Sequence, residues 1–174
     1  MGLGLEGYVL KYHLRGEQNA DHMLLHRVAF ITGAAGALGR AVALQFARDG
    51  VKYIAGLDVS QSGLSETARL LRAEAPDVEF LPVTADMSDE EQIQGAFKQV
   101  VDKFGRIDYA VNNAAIASPF VTTGDADTAD FDRVQRINLK GTWFCEREEL
   151  RQMMKQKPLV VKRGPPSVFY SLSD

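Results

Sequence analysis

Residues 27–49 read R-V-A-F-I-T-G-A-A-G-A-L-G-R-A-V-A-L-Q-F-A-R-D, and this stretch decides the fold. It opens with an apolar run rich in β-branched residues at 28–32, which is typical of a strand buried on both faces. After a glycine-rich turn, apolar residues recur at helical spacing up to Gly50, where a glycine commonly ends a helix. The stretch therefore predicts a strand, a turn and a helix. The glycines of the turn are Gly33, Gly36 and Gly39.

A glycine-rich turn between a strand and a helix is suited to binding a phosphate group. Glycines lack Cβ atoms, so the chain can turn sharply and a pyrophosphate can approach the backbone. The N–H groups at the start of the helix point toward the ligand, and the helix dipole favours negative charge. Many such turns are only structural, so a second signal is needed.

The second signal is an acidic residue at the end of the next predicted strand. Residues 52–57 form a short apolar run, and Asp58 follows it. A carboxylate there can accept hydrogen bonds from both ribose hydroxyls of an adenosine, and it repels a 2′-phosphate. Neither Val59 nor the glycine turn supplies a basic residue, so we expect NAD to be preferred over NADP. The alternative is that Asp58 is only a helix N-cap or turn residue.

Composition and charge are those of a soluble globular protein with one domain. The chain has 174 residues, of which 45% are hydrophobic and 25% are charged, and its net charge is −3. This charge does not favour nucleic acid as a partner, and no apolar run approaches the roughly 20 residues that cross a bilayer. A single cysteine, Cys145, excludes an internal disulfide and favours a cytoplasmic location. The histidine and cysteine spacing matches no metal motif, so we expect no metal.

The rest of the chain continues to alternate strands and helices. This βαβαβαβ order with short loops predicts a parallel sheet with helices on both faces. Pro82 predicts an edge position for the third strand, because proline cannot donate to a sheet ladder. Gly141 interrupts the last helix at a cost of about 1 kcal/mol relative to alanine. The predicted helices lie at 60–75, 88–104 and 130–155, and the predicted third and fourth strands lie at 78–84 and 107–111.

Glycine or polar residues follow all four predicted strands. The glycine turn follows the first strand, Asp58 the second, Asp86 the third and Asn112 the fourth. The carboxyl ends of parallel strands meet at one edge of a sheet, and ligands bind in the crevice there. We therefore expect a ligand site at this edge.

Three motifs resemble those of the short-chain dehydrogenase/reductase family. They are T-G-A-A-G-A-L-G at 32–39, N-N-A-A at 112–115 and I-N-L-K-G at 137–141, and the likeness runs from about Arg27 to at least Met154. The resemblance implies an α/β fold with a Rossmann-type doubly wound parallel sheet, here incomplete, with four to five strands and helices on both faces. It also implies an NAD(P)-dependent oxidoreductase that transfers hydride to or from a small-molecule alcohol or ketone in the full-length relative.

The resemblance also implies roles for individual residues. Asn138 corresponds to the family's active-site asparagine, which helps to hold a proton-relay water and the catalytic lysine. Asp58 corresponds to the acid that binds the adenosine ribose, and Asp86 to the acid that reaches the adenine amine. The implied cofactor-binding residues are Thr32, Gly33, Gly36, Ala37, Leu38, Gly39, Asp58, Asp86, Met87, Asn112 and Ala114.

Three departures from the family pattern bear on function. The family's second glycine falls at position 37, where this chain has Ala37, and Gly36 stands one place earlier. We expect the Cβ atom at 37 to crowd the diphosphate. The family's N-N-A-G reads N-N-A-A here, a small change at Ala115. Most severely, none of the 5 tyrosines is followed four residues later by the lysine that the family uses with its catalytic tyrosine.

Without that pair the chain resembles the cofactor half of a dehydrogenase, so we expect a C-terminally truncated and inactive protein. Ser171 follows a candidate fifth strand, where the family places its catalytic serine, but the surrounding residues do not match and we expect a chance serine. We divide the chain into a poorly ordered N-terminal extension at 1–24, an NAD(P)-binding Rossmann-type domain at 25–157 and a divergent tail at 158–174.

Two other functions stay open from the sequence. A non-catalytic module of the same fold would bind a nucleotide or a partner, and NADH binding without turnover would favour it. A methyltransferase also uses a glycine turn and an acid after its second strand, but the motifs at 112–115 and 137–141 argue against it. By the resemblance, the helix at 130–155 packs against a partner subunit, so we expect a homo-oligomer through this helix.

Overall fold

A four-stranded parallel sheet forms the centre of the chain. The structure is a computed structural model that describes residues 26–159. In this part the strand order is β3-β2-β1-β4, and each neighbouring pair is parallel. The predicted doubly wound parallel sheet is confirmed. The strands are β1 (Val28–Thr32), β2 (Tyr53–Asp58), β3 (Glu79–Thr84) and β4 (Tyr109–Val111).

Three helices connect the strands, and one long helical run follows β4. This run begins as an α-helix, becomes π-helical over Gln135–Gly141 and continues as an α-helix to Lys155. The helix predicted at 130–155 is therefore present, but its middle has the wider π geometry. The helices are α1 (Ala37–Arg48), α2 (Gln61–Glu74), α3 (Glu90–Phe104), α4 (Thr128–Val134) and α5 (Thr142–Lys155), with a short 3-10 turn at Thr123–Asp125.

The helices cover both faces of the sheet. Ile31 of β1 points to one face and packs in a cluster with Leu64 of α2. Phe30 points to the other face, where its ring lies 4.5 Å from that of Phe97 on α3, in a cluster that also holds Phe144 of α5. Successive strand residues alternate between faces, so β1 contributes to both cores and is buried along its whole length, as predicted.

The third strand lies at the edge of the described sheet, as its proline predicted. Pro82 is opposite Gly56 of β2, and β3 pairs only with β2 among residues 26–159.

Within residues 26–159, no helix combines the length and the apolar character needed to cross a bilayer.

Gly141 is a point of close packing between two segments. It is buried at the end of the π-helical segment, and a Cβ atom built on it would lie 2.4 Å from the carbonyl oxygen of Met87. The turn after β3 therefore packs directly against the backbone of the long helix. Helix propensity alone did not reveal this contact.

We expect Gly141→Ala to lower the free energy of unfolding by about 1–3 kcal/mol, because the new methyl group meets backbone atoms of Met87. Gly95→Ala in α3 is the matched control, since nothing lies within 4 Å of its Cβ position. That substitution should stabilise the protein by about 1 kcal/mol through helix propensity. Urea denaturation of both variants measures the two effects, and a stabilising Gly141→Ala would contradict the packing described here.

Candidate cofactor site

Hydrogen bonds join the end of β1 to the residues that follow β4, next to the glycine turn. The Thr32 hydroxyl accepts hydrogen bonds from the backbone N–H groups of Asn113 and Ala114, both at 3.0 Å. The Asn113 amide donates to the carbonyl oxygens of Thr32, at 3.0 Å, and Gly33, at 3.3 Å. Thr32 is fully buried. Its hydroxyl therefore holds the residues after β4 against the start of the glycine turn from inside the protein. Asn113 belongs to the N-N-A-A motif at 112–115, but the sequence did not reveal that its side chain would bond the turn.

The three glycines of the turn differ in whether the folded chain leaves room for a side chain at their positions. Gly33 has φ +68°, and a Cβ atom on it would lie 2.7 Å from the Asn113 side-chain nitrogen. A Cβ atom on Gly39 would lie 2.2 Å from the carbonyl oxygen of Gly33. Gly36 has φ −77°, and the nearest atom to its Cβ position is 3.4 Å away. The folded chain itself therefore requires Gly33 and Gly39, whereas it tolerates a side chain at Gly36.

The N-terminus of α1 lies at the surface of this edge without a side-chain cap. Gly36 is the N-cap residue and contributes no side-chain hydrogen bond. The first N–H groups of a helix have no acceptor within it, and they bind phosphate when they are accessible. Gly36, Ala37 and Leu38 are all exposed, so the start of α1 fits an anionic ligand. The predicted crowding by the Ala37 methyl group stays a prediction.

Asp58 links the end of β2 to the glycine turn. Its Oδ2 atom accepts a hydrogen bond from Ala35 N–H, and its Oδ1 atom accepts one from Ser60 N–H, both at 3.0 Å. The N-cap of α2 is Ser60, so the N-cap alternative for Asp58 is wrong and the turn alternative is present. Asp58 also borders an open hollow of about 530 Å³. The hollow is lined by Ala35, Gly36, Arg40, Asp58, Ser60, Ser62, Gly63 and Glu66.

Arg40 brings a positive charge to the same hollow. Its guanidinium donates to the Thr67 hydroxyl at 3.3 Å and to the Gly63 carbonyl oxygen at 3.4 Å. Arg40 stands one position after the last glycine of the turn, outside the residues from which the NAD preference was predicted. Arg40 therefore places a positive charge at the hollow that Asp58 borders.

The segment after β3 carries Asp86 and Met87, two of the residues predicted to bind the cofactor. Asp86 is half-buried, and its Oδ1 atom accepts a hydrogen bond from Ser88 N–H at 2.7 Å. Met87 is 6% exposed and lies in the hydrophobic core, with its sulfur 3.7 Å from the Cys145 sulfur. Burial raises the pKa of the Cys145 thiol to about 12, so this thiol is protonated at neutral pH. The Met87 side chain therefore packs with the core, and the predicted role of this residue in cofactor binding stays a prediction.

Asn112 turns its side chain toward the interior. Its amide nitrogen donates to the Oε2 atom of Glu149 on α5 at 3.1 Å. Burial raises the pKa of Glu149 to about 7, against the lowering effect of the Asn112 hydrogen bond. The sequence had no signal for this contact, since Glu149 stands in the acidic run E-R-E-E beside Glu146 and Glu148.

Asn138 lies in the π-helical segment, and its side chain forms hydrogen bonds with the backbone of the loop after β4. Its side-chain oxygen accepts from Ile116 N–H, and its side-chain nitrogen donates to the Ile116 carbonyl oxygen, both at 2.9 Å. Single-turn π segments are frequent at functional sites. Each polar atom of the amide makes one hydrogen bond to the loop, and the predicted role of Asn138 in holding a relay water stays a prediction.

Some predicted site residues lie outside the described part of the chain. Ser171 and the candidate fifth strand belong to residues beyond 159, and the structure does not describe them. Among residues 26–159, no three His, Cys, Asp or Glu side chains gather as ligands for a metal ion.

Comparison with known proteins assigns the family. Residues 27–161 match the family model described as short chain dehydrogenase. The chain belongs to the short-chain dehydrogenase family. The family assignment confirms the resemblance that the three sequence motifs indicated.

Several short-chain dehydrogenases are similar in sequence. Levodione reductase of Leifsonia aquatica is 38% identical over 130 residues, covering 75% of this chain and 48% of that protein. The 3-oxoacyl-acyl-carrier-protein reductase of Thermotoga maritima is 35% identical over 131 residues, covering 75% of this chain and 52% of that protein. The chain therefore spans about half the length of these curated relatives.

A solved structure of the same family has a similar fold. The NAD⁺-bound structure of xylitol dehydrogenase superimposes with a TM-score of 0.72 at 34% identity, covering 75% of this chain and 49% of that one. The Rossmann-type architecture of this short-chain dehydrogenase is thus shared with a protein whose structure contains a nicotinamide cofactor.

Proposed function

We propose that the chain is the cofactor-binding part of an NAD(P)-dependent short-chain oxidoreductase that acts on a small-molecule alcohol or ketone. The observation that supports it most is the convergence of the uncapped α1 N-terminus and the Asp58 carboxylate at one sheet edge. When bound, the nicotinamide cofactor supplies the hydride acceptor or donor. The proposal includes no nucleic acid partner, and its cytoplasmic location rests on the single cysteine.

The residues present fit such a cofactor. The first N–H groups of α1 would bind the pyrophosphate, since they have no side-chain cap and Gly36, Ala37 and Leu38 are exposed. Asp58 would accept from the ribose hydroxyls with the lone pairs that Ala35 and Ser60 leave unused. Asp86 would contact the adenine amine, and the residues at 112–114 would line the cofactor with their backbone, since the Asn112 side chain is bonded to Glu149.

We expect NADH to bind more tightly than NADPH, because the Asp58 carboxylate repels a 2′-phosphate and accepts from the free ribose hydroxyls. Asp58→Ala should weaken NADH binding by about tenfold, the value of one hydrogen bond to a charged group, and narrow the difference from NADPH. Glu66→Gln is the control, since it removes another negative charge from the same hollow. Fluorescence titration measures the affinities of the three proteins for both cofactors, and equal affinities of the unmodified chain for NADH and NADPH would contradict the NAD preference.

We also propose that residues 1–174 bind the cofactor without catalysing hydride transfer. Two tyrosines, Tyr53 and Tyr109, lie in the described part, and each is the first residue of its strand. They are therefore at the amino edge of the sheet, opposite the glycine turn. This placement favours the alternative function as well, a non-catalytic nucleotide-binding or partner-binding module.

The long helix supports a proposal of self-association. Four large apolar side chains spaced at 4, 7 and 4 residues lie on one side of it and are 51–85% exposed. An apolar stripe of this kind marks an interaction surface more often than a solvated one. We propose a homo-oligomer through residues 130–155. The four residues are Leu139, Trp143, Leu150 and Met154.

A further inference from the structure

Glu149 has a buried carboxyl group, and one of its oxygens has no hydrogen-bond partner among the described residues. It is 6% exposed, and its Oε2 atom accepts the 3.1 Å hydrogen bond from the Asn112 amide nitrogen. The other oxygens of the two groups, Glu149 Oε1 and Asn112 Oδ1, are both buried without a hydrogen-bond partner among the described residues. Leaving two buried acceptors unsatisfied is costly, more so when one of them is charged.

A single proton on Glu149 would satisfy both oxygens. A carboxylic acid has one O–H donor and one carbonyl acceptor, and a primary amide likewise offers an N–H donor and an acceptor. With the proton on Oε1, Glu149 can donate to Asn112 Oδ1 while Asn112 donates to Oε2. In the ionised state Glu149 has acceptors only, and both oxygens stay without a donor.

The surroundings of Glu149 favour the neutral acid. Burial is the main cause that raises its pKa to about 7, and the negative charge of Glu146 raises it further. The Cys145 thiol beside it is neutral. The ionisable groups on the neighbouring segments have other partners: Glu90 of α3 pairs with Arg147, Asp108 before β4 pairs with Arg106, Asp86 accepts from Ser88, and Lys140 lies over the Phe144 ring.

The pair is connected to the glycine turn through the chain. Asn112 directly precedes Asn113, whose amide holds the carbonyl oxygens of Thr32 and Gly33. Glu149 therefore supports the end of β4 from α5, and the end of β4 supports the turn that begins the cofactor site.

We propose that Glu149 is a positioning residue that acts as a neutral acid, forms two hydrogen bonds with Asn112 and thereby holds the end of β4 in place for cofactor binding. This inference rests on the proposed function for its cofactor readout. Ionisation of Glu149 removes the donor to Asn112 Oδ1, so the support of the cofactor site is lost as the pH rises.

The test compares the unmodified chain with Glu149→Gln and Glu146→Gln by NADH fluorescence titration at pH 6 and pH 8. For a group that titrates near pH 7, the protonated fraction falls to about one-tenth at pH 8, and the apparent Kd for NADH should rise about tenfold. Glu149→Gln should bind NADH with a pH-independent Kd, because the glutamine N–H replaces the acid proton. Glu146→Gln removes an exposed charge from the same helix and should keep the pH dependence with its midpoint at a lower pH, because the charge of Glu146 raises the pKa of Glu149.

A Kd that changes equally with pH in the unmodified chain and Glu149→Gln would overturn the proposal, and so would loss of binding by Glu149→Gln at both pH values. Thermal melts at the same pH values test the pair without cofactor. The unmodified chain should melt at a lower temperature at pH 8 than at pH 6, and Glu149→Gln should not. If neither protein binds NADH, the proposed function fails, and parallel melting shifts in the two proteins would then overturn the acid–amide pair.

Discussion

Residues 1–174 are expected to bind NADH and to show no NAD reduction above a no-enzyme blank with any secondary alcohol. Oxidation of an alcohol needs a group that takes up the hydroxyl proton as the hydride leaves. A positioned acid or base contributes on the order of 10²–10⁴-fold to such a step. Its absence alone should therefore lower the rate by that factor.

The positions of the described tyrosines support this expectation. The Tyr53 ring packs 5.4 Å from Phe104, and the Tyr109 ring packs 5.5 Å from Phe46. Both begin their strands at the amino edge, whereas the glycine turn follows β1 at the carboxyl edge. The side chain of Asn138 is paired with the loop backbone and cannot replace a tyrosine as proton acceptor.

The measurement is NAD reduction with a panel of secondary alcohols, with NADH binding measured in the same samples. Binding without turnover is the expected outcome. Tyr53→Phe and Tyr109→Phe serve as controls and should leave any residual rate unchanged. Turnover well above the blank would show that the proposed incompetence is wrong, and its loss in either variant would identify the tyrosine involved.

Gly39→Ala is expected to destabilise the protein by about 3 kcal/mol and to abolish NADH binding. The new Cβ atom would lie 2.2 Å from the carbonyl oxygen of Gly33 and 2.8 Å from the Cα atom of Ala34. Both are backbone atoms, and Gly33 is held by its φ of +68° and by the Asn113 amide. The turn cannot move aside without losing these contacts, so the cost lies at the upper end of the range for overpacking.

Gly36→Ala is the matched control for this substitution. Its Cβ atom would be 3.4 Å from the same Gly33 oxygen, and its φ of −77° is ordinary for alanine. We expect a loss below about 1 kcal/mol, since alanine is a somewhat poorer N-cap than glycine. Urea denaturation and NADH titration compare the two variants. Equal losses at Gly36 and Gly39 would contradict the turn geometry.

The outline of the fold could be predicted because its signals are local. The run at 28–32 is apolar throughout and became a strand buried on both faces. Pro82 indicated an edge strand without reference to any other residue, and the structure places it there. The order of strands and helices then left few topologies open, because such connections are right-handed.

The sequence did not show which glycines of the turn the folded chain requires. Three glycines look equivalent in the motif at 32–39, but two are required and one is not. The difference at Gly33 comes from Asn113, which lies 80 residues further along the chain. Spacing within a motif carries no information on such a distant neighbour.

The sequence by itself determined the parallel sheet and the family of this protein, because hydrophobic periodicity and glycine spacing act over a few residues. Only the tertiary structure decided that Gly141 packs against Met87, that Arg40 shares the hollow of Asp58, and that Glu149 is buried against Asn112. These properties arise between segments far apart in the chain. Burial and a partner's donors or acceptors set the ionisation of a carboxyl group, and neither exists until the chain has folded.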